Sequence, residues 1–251
     1  MANSRQTAKP EQAKKSNILG KSETSPIENK KRKEVEVQVR KKVCVFFIGG
    51  AGDKRAYPPL PLPKTLVGPF QNIVDVSNHV NEELNLDVKN WLISRYLGYD
   101  DVFGDENIKT NVVSQIPTIT TPVIIIGHSL GGWNGAHLSN WLNNARYNVE
   151  LLVTLDPVGN GFMVTAFSDI YHKTPHAAAK FWINIRAQAK NRDPSDAIAD
   201  FGEQWDVKNY PTLNAVVDTN HANAIKMFKS PINGGASAAN HVVAAIKRLI
   251  G

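Results

Sequence analysis

A serine in a glycine-flanked turn has the surroundings of a nucleophile. Ser129 is the third residue of the run Gly-His-Ser-Leu-Gly at positions 127–131. A β-branched run precedes it at 121–126, and apolar residues recur at three- and four-residue spacing over 131–145. A strand that turns directly into a helix lifts the serine hydroxyl above the edge of a sheet, and the glycines let strand and helix pass closely. The pattern therefore predicts that Ser129 is a nucleophile. A serine that only caps the helix is the alternative.

A second glycine-rich run, Gly-Gly-Ala-Gly at 49–52, follows the apolar run 43–48. It does not match a dinucleotide-binding or phosphate-binding loop, because no third glycine opens a helix and no Gly-Lys-Ser/Thr ending is present. Prolines crowd the next stretch, 53–70, which predicts a loop. Neither a nucleotide nor another cofactor is expected.

Apolar runs and amphipathic segments alternate along residues 43–251. An alternating stretch at 35–39 leads into the first run. Buried strands are predicted at 43–48, 121–126, 149–155, 181–185 and 213–217. Helices are predicted at 131–145 and 238–250, and residues 75–94 also show helical periodicity. Strands that alternate with helices indicate an α/β domain with a mostly parallel sheet flanked by helices.

Three short runs carry a resemblance to a known superfamily. The run Gly-His-Ser-Leu-Gly-Gly at 127–132 resembles the nucleophile elbow of lipases and related esterases in the α/β-hydrolase superfamily. The run Val-Thr-Leu-Asp-Pro-Val at 153–158 resembles the segment that supplies the catalytic acid in some lipases. The run Phe-Ile-Gly-Gly-Ala-Gly-Asp at 47–53 is similar to bacterial lipase-like hydrolases, some of them exported antibacterial effectors. The resemblance implies an α/β-hydrolase catalytic domain over 43–251.

A serine hydroxyl needs a base, and the resemblance implies that the base is a histidine that follows the acid in the chain. The histidines after residue 156 are His172, His176, His221 and His241. His221 follows the predicted strand 213–217 in a turn-rich stretch, which makes it the expected base, with His241 as the runner-up. His172 and His176 lie in a predicted cover segment and lack the glutamate of a His-Glu-x-x-His zinc motif, so no metal is expected. His137 lies on an apolar helix face, where packing is the expected role.

Asp156 is the expected acid, because it ends a hydrophobic strand and precedes a proline. Its carboxylate would hold the imidazole in the correct tautomer and stabilise the imidazolium. A turn or cap residue is the alternative reading of Asp156. Asp193 and Asp196 are the runner-up acids, since they follow the strand after which most superfamily members carry the acid.

Backbone amides are expected to bind the oxyanion of the reaction. The amide of Leu130, next to the nucleophile, should act together with an amide of Gly50 or Ala51. The choice between Gly50 and Ala51 stays open, because Gly49-Gly50 replaces the His-Gly type of loop seen in many lipases.

The charge of the chain is divided unevenly along its length. Residues 1–42 hold twelve of the 29 Lys and Arg and five of the 23 Asp and Glu, so the remainder is near neutral. The segment 1–42 has no aromatic residue, which predicts a disordered basic tail. The tail is either a solubilising leader or a docking arm for nucleic acid, anionic lipid or a secretion or adaptor partner. A nucleic-acid partner is disfavoured, because residues 43–251 show no basic stripe.

The sequence has neither an apolar run of about eighteen residues nor an apolar stretch near its start. Synthesis in the cytoplasm without a signal peptide is therefore expected, and the effector resemblance implies export by a signal-independent route. The single cysteine, Cys44, lies in an apolar run, which favours a reducing compartment.

Hydrolysis of carboxylic esters is the expected activity, with lipid acyl esters as the expected substrates and transient contact with a membrane surface. The apolar stretches 162–164 and 166–167 support a lipid substrate. Thioesterase and amidase activities use the same residues and stay open. A protein that binds a partner through a hydrolase fold without catalysis is the alternative from another class.

Overall fold

The structure is a computed structural model that describes residues 40–56, 68–207 and 210–251. The predictions for the basic tail up to residue 39 and for the proline-rich loop 57–67 lie outside the described residues.

Six strands form one sheet in the described part of the chain. The strands are β1 (Val43–Gly49), β2 (Leu92–Gly98), β3 (Val123–His128), β4 (Val149–Leu155), β5 (Phe181–Ala187) and β6 (Leu213–Val217). Their order is β2-β1-β3-β4-β5-β6, and every neighbouring pair is parallel. The prediction of a mostly parallel sheet is confirmed. All six carboxyl ends therefore lie along one edge of the sheet.

Eight α-helices connect and cover these strands within the described ranges. They are α1 (Asn72–Glu82), α2 (Leu86–Lys89), α3 (Asp105–Asn111), α4 (Leu130–Asn144), α5 (Phe162–Phe167), α6 (Pro194–Phe201), α7 (Ala224–Lys229) and α8 (Ala238–Ile250). Two of them begin with capping boxes, in which the side chain of the N-cap residue and that of the third helical residue each bind the main chain of the other. Asp193 and Asp196 form the box of α6, and Ser237 and Asn240 form that of α8. No helix in the described ranges is long and apolar enough to cross a membrane.

The sheet is buried on both faces, which explains the uninterrupted apolar runs of its central strands. In β1, Val45 and Phe47 pack with α1, α7 and α8 on one face. Phe46 and Ile48 belong to a second apolar cluster on the other face, together with residues of α3 and α4. Cys44 lies in that second cluster, where burial raises the pKa of its thiol to about 11.

The helical reading of residues 75–94 is wrong at its C-terminal end. Helix α1 ends at Glu82, and the chain then forms the short helix α2 and the edge strand β2. Strand β2 is paired on one side only, with β1, and it carries Ser94 and Arg95 in its middle. An edge strand has no need of a continuous apolar run, so its sequence lacks the pattern that marks the central strands.

His137 lies on α4 and packs against Tyr171, as its position on an apolar helix face predicts. Its ring lies 4.4 Å from the ring of Tyr171, and Nε2–H donates to the carbonyl oxygen of Lys173 at 2.7 Å. Burial lowers the pKa of His137 to about 4, with a smaller contribution from His176.

We predict that His137 makes the protein less stable in mild acid. The unfolded chain takes up a proton at this histidine near pH 6.5 and the folded chain only near pH 4, so the free energy of unfolding falls as the pH drops between these values. His137→Gln keeps an N–H donor but cannot ionise. Urea unfolding at pH 7 and pH 4.5 should therefore show a smaller loss of stability for this variant than for the wild type. Equal losses in the two proteins would contradict the prediction.

Candidate active site

Ser129 occupies a sharp turn between β3 and α4. Its backbone has φ 57° and ψ −128°, a conformation that is costly for a residue with a side chain. A Cβ on Gly127 would clash with the carbonyl oxygen of Gly131, and a Cβ on Gly131 would clash with that of Ile48. The two glycines are therefore required by the close passage of strand and helix. The side chain of Ser129 makes no capping hydrogen bond, which excludes the reading of this residue as a side-chain cap.

Three predicted residues meet at the carboxyl edge of the sheet. Nε2 of His221 lies 3.0 Å from Oγ of Ser129, and Nδ1 of His221 lies 2.6 Å from Oδ2 of Asp156. The three residues are buried, with 7%, 5% and 0% of Ser129, His221 and Asp156 exposed. A carboxylate only accepts hydrogen bonds, so the imidazole hydrogen lies on Nδ1, and the lone pair of Nε2 faces the serine hydroxyl.

The carboxylate of Asp156 is held by two further groups. Its Oδ1 accepts from the amide of Ala187 at 2.9 Å, and Nε2 of Gln204 lies 2.8 Å from both carboxylate oxygens. Gln204 also donates to the carbonyl oxygen of Ala187 at 3.2 Å. Sequence reasoning missed Gln204, because a single glutamine 48 residues from its partner belongs to no local motif.

The runner-up residues lie in other places. Asp193 and Asp196 open α6, and Asp196 accepts from the main-chain amide of His221 at 2.9 Å rather than from its ring. The ring of His241 stacks on that of Phe181, with 5.5 Å between centroids. His172 and His176 are exposed, and no group of His, Cys, Asp or Glu in the described ranges is arranged to hold a metal ion.

Backbone amides of two elements border the serine. Leu130 is the first residue of α4, and the first amides of a helix have no partner within it. Gly50 follows β1, and a Cβ built on it would lie 2.6 Å from Cβ and 3.0 Å from Oγ of Ser129. The loop that carries Gly50 and Ala51 therefore contacts the serine directly. An oxyanion role for these amides stays a prediction.

Two cavities of different character meet at Gly50. A cavity of about 200 Å³ opens at Ser129 and His221, and Phe70 and Ile198 line it. Its neighbour, of about 420 Å³, is lined by charged side chains that include Lys54, Arg55, Asp100 and Asp169. The serine thus lines a mostly apolar cavity that lies beside a polar one.

The sheet order and the elbow define the fold. A parallel sheet flanked by helices carries a strained serine at a strand-to-helix turn, an aspartate after the next strand and a histidine after the last one. This chain has the α/β-hydrolase fold.

Comparisons with known proteins find solved structures of low sequence identity only. No protein-family model matches the chain, and no curated protein sequence matches it. Among solved structures, a hydrolase of the alpha/beta superfamily from Xanthomonas campestris pv. campestris is 12% identical at a TM-score of 0.38, over 83% of this chain and 98% of that one. The Tle1 effector bound to the VgrG spike of the type 6 secretion system is 12% identical at 0.39, over 74% of this chain and 51% of that one. The Vlm2 thioesterase domain, bound with a dodecadepsipeptide, is 14% identical at 0.40, over 85% and 95%. Such identities do not transfer an activity, so the reaction is inferred from the residues of the site.

We predict that Gly50→Ala disables the site. The added methyl group would overlap Cβ of Ser129, so either the serine or the loop after β1 has to move. Misplacement by about 1 Å costs on the order of a hundredfold in rate. Gly235→Ala is the matched control, because its Cβ would meet its nearest neighbour at an ordinary 3.4 Å. The rate of labelling by a fluorophosphonate should fall only in the first variant, and equal rates in both would contradict the prediction.

Proposed function

We propose that this protein is a serine hydrolase that cleaves carboxylic esters. In this proposal Ser129 is the nucleophile, His221 the general base and acid, and Asp156 the residue that orients the imidazole. The observation that carries it is the buried hydrogen-bonded chain from Oγ of Ser129 through both ring nitrogens of His221 to Oδ2 of Asp156. That arrangement can deprotonate a hydroxyl and stabilise the imidazolium that results.

The first half of the reaction forms an acyl-enzyme. Oγ of Ser129 attacks the ester carbonyl carbon while Nε2 of His221 takes the hydroxyl proton. The carbonyl oxygen becomes an oxyanion, which the amide of Leu130 and an amide of Gly50 or Ala51 would bind. His221 then gives its proton to the departing alcohol as the ester C–O bond breaks.

The second half releases the acid. A water molecule gives a proton to Nε2 of His221 and attacks the acyl carbon, which forms a second oxyanion. When the bond to Oγ breaks, His221 returns the proton to Ser129. One ester and one water are consumed, and one alcohol and one carboxylic acid are released.

Exposed apolar side chains around the site support a lipid acyl ester as the substrate. Phe70 and Ile198, which line the cavity of Ser129, are 42% and 47% exposed. Phe167 lines the neighbouring cavity and is exposed as well. Phe162 and Phe201 are exposed on segments joined by the main-chain hydrogen bond from Gly161 to Gly202. Large exposed apolar groups beside a site favour contact with an apolar partner, which is consistent with transient contact with a lipid surface.

We predict that Ser129→Ala abolishes both turnover and fluorophosphonate labelling while the protein stays folded. Loss of the nucleophile should lower kcat on the order of 10⁴-fold or more across a panel of acyl esters, thioesters and amides. Ser114→Ala is the matched control, because the hydroxyl of Ser114 is exposed and bonds the main chain of Thr110. Labelling that persists in Ser129→Ala would place the nucleophile elsewhere. If the wild type hydrolysed only thioesters or only amides, that substrate class would take the place of esters in the proposal.

We predict that Ile198 contributes to the selection of long acyl chains. Ile198→Asn should lower kcat/KM for a long-chain acyl ester about tenfold or more, while an acetyl ester is hydrolysed at the wild-type rate, because only the longer chain contacts this side chain. Ile119→Asn is the matched control, since Ile119 is similarly exposed but precedes β3 at the opposite edge of the sheet. An equal loss on both esters, or a clear preference of the wild type for acetyl esters, would contradict a lipid substrate.

A further inference from the structure

We infer that His128 and Asp196 are positioning residues that hold the main chain of His221 from its two sides. The inference rests on the proposed function, in which His221 is the general base. The two side chains come from different elements: His128 ends β3, and Asp196 lies in the first turn of α6.

His128 binds the main-chain carbonyl oxygen of His221. Its Nε2 lies 2.8 Å from the carbonyl oxygen of His221, and a carbonyl oxygen only accepts, so the ring hydrogen lies on Nε2. The ring is buried, and its Nδ1 has no hydrogen-bond partner among the described residues. Buried polar atoms are rarely left without a partner. Burial of the unpaired Nδ1 is unfavourable, and an apolar side chain would avoid it. The hydrogen bond from Nε2 to His221 is what such an apolar side chain could not make.

The imidazole of His128 is also kept neutral. Burial, with a smaller contribution from His221, lowers its pKa to about 3, and the two rings lie 4.9 Å apart. A neutral ring leaves the positive charge of the reaction to His221. A charged ring at this distance would oppose the imidazolium that the mechanism requires.

Asp196 binds the main-chain amide of His221. Its Oδ1 accepts from the amide of His221 at 2.9 Å, and its Oδ2 accepts from the side chain of Asn220 and the amide of Asp193, both at 2.8 Å. The turn that carries His221 is thereby tied to the start of α6. These hydrogen bonds hold the pKa of Asp196 below its ordinary value against the opposing effect of burial.

Both polar groups of one residue's main chain are thus held by side chains. His221 follows β6 in a turn, and its ring has to reach back across the sheet to Ser129, which lies after β3. A turn without these two bonds could rotate about its φ and ψ angles and withdraw Nε2 from Oγ. Neither bond reaches the ring of His221, so each acts on the reaction only through the position of the base.

The first test replaces the donor of His128. His128→Phe keeps a ring of similar size but removes the N–H, whereas His128→Gln carries an N–H the same number of bonds from the main chain. We expect His128→Phe to lower kcat and the second-order rate of fluorophosphonate labelling on the order of tenfold to a hundredfold, with KM little changed. His128→Gln should recover most of the loss. Wild-type rates in His128→Phe, or equally slow rates in both variants, would overturn the role of His128.

The second test removes the carboxylate of Asp196. Asp196→Ala also breaks a capping box, so Asn240→Ala, which breaks the corresponding box of α8, is the matched control for the loss of stability. Asp196→Ala should label about tenfold more slowly or worse, while Asn240→Ala labels at the wild-type rate despite a similar fall in Tm. Equal labelling of the two would reduce Asp196 to a helix cap. This pair still decides the role of Asp196 if His128→Phe does not fold.

Ser129→Ala, run in parallel, separates the two proposals. If Ser129→Ala still reacts with the fluorophosphonate, the proposed function fails whatever the other variants do. If Ser129→Ala is unreactive while His128→Phe and Asp196→Ala react like the wild type, the proposed function stands and the positioning role alone is wrong.

Discussion

The strained turn at Ser129 is the constraint on which the rest of the site depends. A non-glycine residue at φ 57° and ψ −128° costs about 1–3 kcal/mol, and such a conformation persists only where its surroundings hold it. Here the amide of Ser129 donates to the carbonyl oxygen of Leu155, and its own carbonyl accepts from the amides of Gly132, Trp133 and Val158. Because Leu155 directly precedes Asp156, the bonds that hold the turn also fix the distance between Ser129 and Asp156.

Asp156 is held by its neighbouring strand in the same way. Asp156 has a φ of 44°, and its amide and its carboxylate bond to Ile185 and Ala187 of β5. Ser129 and Asp156 are therefore each positioned by the next strand along the sheet. His221 is the exception, because it follows the edge strand β6 and has no further strand beyond it. Side chains from β3 and α6 supply the support that a neighbouring strand provides elsewhere.

Local patterns predicted most of the fold and the residues of the site that lie at strand ends. Ser129 and Asp156 could be proposed because each follows a continuous apolar run, and both faces of such a strand are covered. The edge strand β2 was not predicted because it is half-exposed and carries polar residues, and the short helices α3, α5, α6 and α7 were not predicted either. Gln204 and the contact of His128 with His221 could not be predicted, since no local motif marks either residue as the partner of a group 48 or 93 residues away. Asp196 was selected as a candidate acid from its place in the chain, but only the folded geometry shows that it binds the main chain of His221.

In the proposed function the loop after β1 supplies an oxyanion donor, and such a donor contributes to the rate only if it does not move when charge develops. The buried carboxylate of Asp53 accepts from the first two amides of α1, where the helix dipole favours a negative charge. Lys54 and Arg55 pair with Asp100 and Asp101, which follow β2. The segment that carries Gly50 and Ala51 is thereby anchored on one side to a helix and on the other to the neighbouring strand. These partly exposed ion pairs add little to the free energy of unfolding. Their larger effect is to restrict the movement of the loop that carries Gly50 and Ala51.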